Sequence, residues 1–284
     1  MRVDQLAKID VGHLCQIAGL SRASFYRSFE DQAVREADVA LLSQIQILCL
    51  KHRYYGYRRI TALLRRSGML VNAKRIQRLM REDNLTSLRR KAFAPPPSDR
   101  RHGFLIVPNL LRGLIASAPD QVWVADITYI RLRESFCYLA VILDGFSRKV
   151  VGWALAESLD ASLAVAALDK ALTTRGPPPS SLIHHSDRGV QYASVDYRQR
   201  LSEYDITISM SRPGNPYDNA KAESFMKTLK TEEVNASRFK NFAEAERSIG
   251  YFIDTIYNTE RLHSSLGYRP PLEFETDYAQ AKTN

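Results

Sequence analysis

Residues 211–225 read SRPGNPYDNAKAESF, and the rest of the chain is interpreted outward from this stretch. Its first nine residues include two Pro, one Gly and two Asn, which predict a loop. A helix follows, because Asp218 or Asn219 can cap it and residues 220–229 are mostly good helix formers. Glu223 lies within the first two turns of that helix. A carboxylate directly after a polar loop suits a metal ligand better than a core position.

Two carboxylates further upstream suit the same role. Asp126 lies in QVWVADITYI, residues 121–130, a run of aromatic and β-branched residues that predicts a strand. An Asp buried in such a strand needs a partner or a cation. Asp187 lies in LIHHSDRG, residues 182–189, where a short apolar strand ends in a polar turn. Open α/β sheets bind ligands at such strand ends.

The spacing of these three residues resembles the D,D(35)E triad of retroviral-integrase-like transposases. Sixty residues separate Asp126 from Asp187, and 35 separate Asp187 from Glu223. Four longer segments, in the right order, resemble the second-frame (OrfB) transposases of the insertion-sequence-three family. They are WVADITY at 123–129, HSDRG at 185–189, NPYDNAKAESF at 215–225 and YNTERLHSSLGYRPP at 257–271. The resemblance covers nearly the whole chain.

This resemblance implies that Asp126, Asp187 and Glu223 are both the catalytic residues and the metal ligands. The implied cofactor is a pair of Mg²⁺ ions, with Mn²⁺ as the alternative. Two such ions, about 3.5–4 Å apart, stabilise the attacking and leaving oxygens of a phosphodiester. The enzyme would hydrolyse a strand at the element's end and use the freed 3′-OH to attack another DNA.

The resemblance also implies several partners. They are the terminal inverted repeats of the element, the target DNA, a first-frame (OrfA) protein and further copies of the chain on DNA. Two other functions stay open. A catalytically silent DNA-binding regulator is disfavoured by the intact triad, and an RNase H-type nuclease would need no paired helix-turn-helix units.

The charge distribution predicts where DNA binds. Residues 1–100 carry 19 Lys and Arg against 9 Asp and Glu, a net charge of +10. Residues 101–284 carry 21 against 22, a net charge of −1. A basic segment joined to a nearly neutral one is typical of a DNA-binding region and a catalytic core, although a solvated helical surface would look similar. We expect a helical DNA-binding region at 1–94, a Pro-rich basic linker at 95–117, and a core with a helical tail at 118–284.

Residues 13–29 predict a first helix-turn-helix unit. Gly19 interrupts the chain and Ser21 can cap a second helix. Arg22 and Arg27 then face solvent and are predicted to contact DNA. The residues predicted to face inward are Leu14, Ile17, Ala18, Phe25 and Phe29. An ordinary helical hairpin is the alternative.

A second, similar unit follows at residues 60–81. Gly68 supplies the turn and Asn72 the cap of the second helix. The residues predicted to face inward are Ile60, Leu63, Leu64, Ile76, Leu79 and Met80. The basic residues of the second helix predict phosphate contacts, and they are Lys74, Arg75, Arg78 and Arg81.

The second half of the chain predicts an α/β fold. Apolar β-type runs at 137–143 and 149–155 are joined by the turn DGFSR, a helix follows at 161–173, and a further strand at 182–184. Hairpin-linked strands, a crossover helix and a parallel strand give a mixed sheet covered by helices. The resemblance implies the RNase H-like strand order.

Other polar residues near the triad receive separate interpretations. Asp144 precedes a Gly in a turn and is interpreted as structural rather than as a fourth ligand. His184 and His185 either face the site or are satisfied core side chains. Lys227 and Lys230 lie on the same helix face as Glu223 and are predicted to contact DNA phosphates.

Composition excludes several classes of protein. No apolar run approaches the roughly 18 residues of a membrane span, and the N-terminus has no signal-peptide core. The three Cys form no CxxC pair, and the spacing of His13 and Cys15 is unusual for zinc. We therefore expect a cytoplasmic, nucleoid-associated bacterial protein without a membrane partner.

Overall fold

The computed structural model describes residues 10–19, 21–22, 36–88, 107–212 and 219–283. The chain divides into two compact units, Met1–Thr86 and Ser87–Asn284. The predicted second helix of the first helix-turn-helix unit, Arg27 and the loop at 213–218 lie outside the described residues.

The described part of the first unit is helical. Its helices are α1 (Val11–Ala18), α2 (Glu36–Lys51), α3 (Tyr57–Arg66) and α4 (Ala73–Glu82). Helix α1 ends at Gly19, whose φ of 64° is left-handed, as the predicted break requires. Ile17 was predicted to face inward, but it is 77% exposed, so this part of the prediction is wrong.

Helices α3 and α4 form the predicted second hairpin. Ile60 and Leu64 are buried on α3, and Ile76, Leu79 and Met80 are buried on α4. The turn contains Gly68 at a φ of 89°, a conformation that favours glycine. The Asn72 side chain caps α4 by accepting a hydrogen bond of 2.8 Å from the Lys74 N–H. The second helix-turn-helix prediction is confirmed in these details.

The second unit is built on a five-stranded mixed sheet. Its strands are β1 (Val122–Arg131), β2 (Phe136–Asp144), β3 (Val150–Ala156), β4 (Ile183–Ser186) and β5 (Thr207–Met210), in the spatial order β3-β2-β1-β4-β5. The first three strands pair antiparallel, and β4 pairs parallel with both β1 and β5. The predicted mixed sheet is confirmed.

Helices flank both faces of this sheet. They are α5 (Ala161–Arg175), α6 (Val190–Ala193), α7 (Val195–Ser202), α8 (Ala220–Leu229), α9 (Phe242–Tyr251) and α10 (Pro271–Thr283). Helix α8 continues as a π-helical segment, Lys230–Val234, and α9 continues as another, Phe252–Glu260. A short 3₁₀ turn, Ser264–Leu266, precedes α10.

Alternation along β1 sends side chains into two separate cores. Val122, Val124 and Ile130 pack with α8 and α9, whereas Trp123 and Ala125 pack with α5 and α7. The backbone of α5 lies so close to β3 that a Cβ at position 152 would collide with it, which explains the Gly found there.

The described end of the predicted linker, residues 107–117, contacts the second unit. The Leu110 N–H donates to the Ser209 hydroxyl at 2.9 Å, and Leu111 and Ala116 pack against the core that contains α8. This segment is therefore attached to the sheet for much of its length.

Candidate active site and nucleic-acid interface

The first two predicted carboxylates lie on neighbouring parallel strands. Asp126 is in β1, and Asp187 directly follows β4. The register of the two strands pairs Val124 with His185. Asp126 lies two residues after Val124, and Asp187 lies two residues after His185. Parallel neighbours are about 4.8 Å apart. Both residues are half-buried, and Asp187 lies at the carboxyl end of β4, the kind of position where open α/β folds bind ligands.

Local hydrogen bonds orient the Asp187 turn. The Gly189 N–H donates to Asp187 Oδ1 at 2.9 Å, and the Arg188 guanidinium donates to the Ser211 carbonyl at 2.9 Å. A Cβ at Gly189 would lie 3.0 Å from Asp187 Oδ1, so the turn leaves little room for a side chain there. Asp126 Oδ1 accepts a hydrogen bond of 3.0 Å from the Ile127 N–H.

The third carboxylate, Glu223, lies on the exposed side of α8. Of the two predicted cap residues of this helix, Asp218 lies outside the described residues, and Asn219 occupies the N-cap position without a side-chain cap. Its Nδ2 instead donates to the carbonyl of Ala125 at 2.9 Å, which fastens the start of α8 beside Asp126. In the described ranges, no three His, Cys, Asp or Glu side chains are grouped so that they could hold a metal ion. Glu223 is therefore near the aspartates in the fold but not assembled with them.

Two buried histidines precede Asp187. Burial lowers the pKa of His184 to about 3, with the neighbouring His185 acting in the same direction, so His184 is neutral. Its Nε2 lies 2.8 Å from the Tyr197 hydroxyl. The ring nitrogens of His185 lie 2.8 Å from the Ser209 hydroxyl and 3.0 Å from the Ser211 hydroxyl. His185 is therefore bonded at both ring nitrogens, whereas the buried Nδ1 of His184 has no hydrogen-bond partner among the described residues.

Asp144 belongs to a buried ionic network and is fully buried. Its carboxylate accepts hydrogen bonds from the N–H groups of Asp120 and Ser147, both at 2.7 Å, and lies 3.9 Å from Arg175. Arg175 also binds Glu275 of α10 through both of its terminal nitrogens. Asp144 thus has a structural role, as its place in a turn predicted.

Lysines follow Glu223 along α8. Lys227 is exposed, whereas Lys230 is half-buried with its ammonium 4.6 Å from the centre of the Tyr129 ring. Burial lowers the pKa of Lys230, and the nearby charge of Asp126 acts in the opposite direction. The structure also adds Lys221, which the sequence did not single out and whose ammonium donates to the Gly145 carbonyl.

The predicted DNA contacts of the first unit separate into two groups. Lys74 and Arg81 are exposed on α4. Arg75 and Arg78 bind the carboxylate of Asp38 on α2, with hydrogen bonds of 2.7 and 3.0 Å. These bonds hold the pKa of Asp38 below its ordinary value. Two of the four predicted contacts on α4 therefore also join it to α2.

The remaining basic predictions lie in the first helix-turn-helix unit. Arg22 is exposed and lies 3.6 Å from the exposed Asp10 carboxylate. Arg27 lies outside the described residues.

Comparison with known proteins identifies the chain's family. An integrase core domain model matches residues 116–216, a second integrase core domain model matches 204–271, and an HTH-like domain model matches 36–93. The transposase InsF for insertion sequence IS3A of Escherichia coli K12 is 34% identical over 95% of this chain and 95% of its own length. The chain belongs to the IS3 family of transposases. It is a DNA transposase with an integrase-type core, and its HTH-like domain is a DNA-binding module.

Two other matches are a relative and a solved structure. The 31 kDa protein of insertion element IS600 of Shigella sonnei is 38% identical to this transposase over 94% of the chain and 99% of its own length. An intasome structure of simian T-cell lymphotropic virus matches with a TM-score of 0.47 and 16% identity, over 82% of this chain and 74% of the other. No helix in the described ranges is both long and apolar enough to cross a membrane.

Proposed function

We propose that this transposase cleaves and joins the ends of its insertion sequence with Asp126, Asp187 and Glu223 as the catalytic carboxylates. The observation that supports the proposal is that Asp126 in β1 and Asp187 directly after β4 each lie two residues beyond the paired residues Val124 and His185 of these adjacent parallel strands. The Asn219–Ala125 hydrogen bond supports the inclusion of Glu223, because it brings the start of α8 to the residue beside Asp126.

We propose that the same carboxylates hold two divalent cations, Mg²⁺ or alternatively Mn²⁺. The donor set fits, because Mg²⁺ prefers oxygen ligands and is usually held by one or two carboxylates together with water and phosphate. Bound ions supply charge stabilisation to the attacking and leaving oxygens of the phosphodiester. In this proposal the sheet supplies the ligands Asp126 and Asp187, and helix α8 supplies the ligand Glu223.

Glu223 is proposed to join the aspartates only when DNA and metal bind. The lack of a three-carboxylate group within the described residues supports this, as does the exposure of Glu223. A ligand that binds the assembled arrangement more tightly shifts the protein toward it. The fixed position of Asn219 gives the helix a defined starting point for that change.

We propose the domain limits 1–94 for DNA binding, 95–117 for the linker and 118–284 for catalysis. Lys74 and Arg81 are proposed to bind phosphates of the terminal inverted repeats, and Lys227 and Lys230 those of DNA in the active site. Further proposed partners are target DNA, a first-frame (OrfA) protein and other copies of the chain on DNA. The proposed location is the bacterial cytoplasm, on the nucleoid.

A joining assay tests the proposal. The transposase is incubated with labelled element-end DNA, a target plasmid and Mg²⁺, and covalent joining of the labelled 3′ end to the plasmid is measured. A DNA-binding regulator would bind without cleaving, and an RNase H-type nuclease would cleave without joining. Joining that depends on each of the three carboxylates is the expected result, and binding or cleavage without joining contradicts the proposal.

A further inference from the structure

Tyr192 lies in the short helix α6, five residues after Asp187, and only 3% of it is exposed. Its hydroxyl oxygen has no hydrogen-bond partner among the residues that the structure describes. Its ring packs edge-on against Tyr197, with a distance of 5.4 Å between the ring centres. A buried hydroxyl without a hydrogen-bond partner is uncommon, because nearly all buried polar groups in proteins are hydrogen-bonded.

The neighbouring Tyr197 provides a contrast within the same cluster. It is equally buried, but its hydroxyl lies 2.8 Å from Nε2 of His184. The hydroxyl of Tyr197 therefore has a role in the folded chain as it stands. The hydroxyl of Tyr192 has no such hydrogen bond, so a role for it would require a bound ligand.

The Asp187 turn brings the Tyr192 ring and the Asp187 carboxylate to one place. Asp187 Oδ1 and the ring carbon Cδ2 of Tyr192 lie 3.0 and 3.6 Å from the position that a Cβ of Gly189 would take. Burial raises the pKa of Tyr192 well above its ordinary value, and the charges of Tyr197, Asp126 and Asp187 act in the same direction. The hydroxyl therefore keeps its proton, and the Tyr192 ring lies against the turn that carries Asp187.

We propose that Tyr192 is a positioning residue whose hydroxyl donates a hydrogen bond to the Asp126–Asp187 pair when a divalent cation is bound there. A carboxylate that binds a metal ion can still accept a hydrogen bond at its remaining lone pairs. Hydrogen-bond donors of this kind fix the orientation of the side chains that bind the metal. The inference rests on the proposed function, since it takes these two aspartates as the metal ligands.

Removal of single hydroxyl groups tests the inference. Full-length Tyr192→Phe and its matched control Tyr197→Phe are compared with the unchanged protein. Mn²⁺ binding is measured by calorimetry, and Tm is measured in the presence of a chelator. Tyr192→Phe should weaken Mn²⁺ binding about tenfold, the lower end of the range for losing a partner of a metal ligand. Its Tm without metal should stay the same or rise, because no hydrogen bond is lost.

Tyr197→Phe should behave in the opposite way, with a lower Tm without metal and unchanged Mn²⁺ affinity. Unchanged Mn²⁺ affinity in Tyr192→Phe would overturn the inference, and so would a fall in its Tm equal to that of Tyr197→Phe. The double variant Asp126→Asn, Asp187→Asn identifies the source of a failure. If it binds Mn²⁺ normally, the proposed metal site itself is wrong. If it loses Mn²⁺ while Tyr192→Phe does not, only the role of Tyr192 is wrong.

Discussion

Replacing Arg175 with Met removes a cation that lies against the buried carboxylates of Asp144 and Glu275, and of the described cations it leaves only Lys149, 3.2 Å from Glu275, in this cluster. Arg175 is 13% exposed and Glu275 is 10% exposed. Removing one partner from a buried ion pair costs about 3–5 kcal/mol, because a charge remains buried without compensation. In a unit of this size each kcal/mol lowers Tm by about 2–4 °C, so the variant should melt about 6–20 °C lower.

Arg200→Met is the matched control for this substitution. Arg200 also binds two carboxylates, Asp169 at 2.6 Å and Glu203 at 2.8 Å, but it is 36% exposed. Exposed ion pairs contribute little because water and salt screen them, so Tm should change little. Calorimetric Tm values of the two variants are compared in the same buffer. Equal shifts would refute the reasoning, since burial would then have no effect on the cost.

The Arg175→Met effect should also depend on pH. In the unchanged protein burial acts to raise the pKa of Glu275, but Arg175 outweighs it and the pKa is lower than usual. The stabilisation from Glu275 is thus present above its unfolded pKa and is lost as the pH falls through the folded pKa. Without Arg175, only Ser147 and Lys149 oppose the effect of burial, so the pKa of Glu275 rises relative to the unchanged protein and protonation relieves the variant. The Tm difference should be smaller near pH 4 than at neutral pH, and a constant difference would contradict this.

The remaining predictions concern activity and DNA binding. Three single substitutions should each abolish cleavage and joining without preventing DNA binding in a gel-shift assay, and they are Asp126→Asn, Asp187→Asn and Glu223→Gln. Near-normal cleavage by any one variant would show that the substituted residue is not part of the active site. Lys74→Ala and Arg81→Ala should each weaken DNA binding and reduce its logarithmic salt slope by about 1, and an unchanged slope excludes a phosphate contact. Amide exchange across residues 208–224 should slow when element-end DNA and a divalent ion are added, and equal exchange in both states rules out ordering by ligand.

Much of the fold could be predicted because local signals agreed with it. The Asn72 cap and Gly68 turn of the α3–α4 hairpin are short-range features with one structural reading each. Strand β1 and helix α8 were predicted within one or two residues of their observed ends. Helix α2 was not predicted from the sequence, because its apolar residues do not share one face. Leu41 and Ile45 are buried, whereas Ile47 is 59% exposed.

The sequence predicts which strand or helix carries each carboxylate. It does not reveal the contacts between side chains that are far apart in the chain. Nothing local to Arg75 or Arg78 shows that Asp38, on another helix, binds both. The sequence around Tyr192 predicts an ordinary core aromatic, and only the fold reveals that its hydroxyl is buried without a partner among the described residues and that its ring lies against the Asp187 turn. Asn219 was one of two cap candidates because caps are local features, whereas the partner of its side chain, Ala125, is 94 residues away.

The anchoring of α8 restricts how Glu223 can join the two aspartates. Asn219 is bound to the carbonyl of Ala125 and Lys221 to that of Gly145, while the opposite side of the helix is packed into the core. Moving the whole helix would break these bonds and disturb a closely packed interior, which responds poorly to small displacements. The exposed Glu223 side chain can instead change rotamer, at a cost of at most about 2 kcal/mol in conformational entropy. We therefore expect DNA and metal to complete the site through Glu223 and the residues before Asn219, while α8 keeps its place on the sheet.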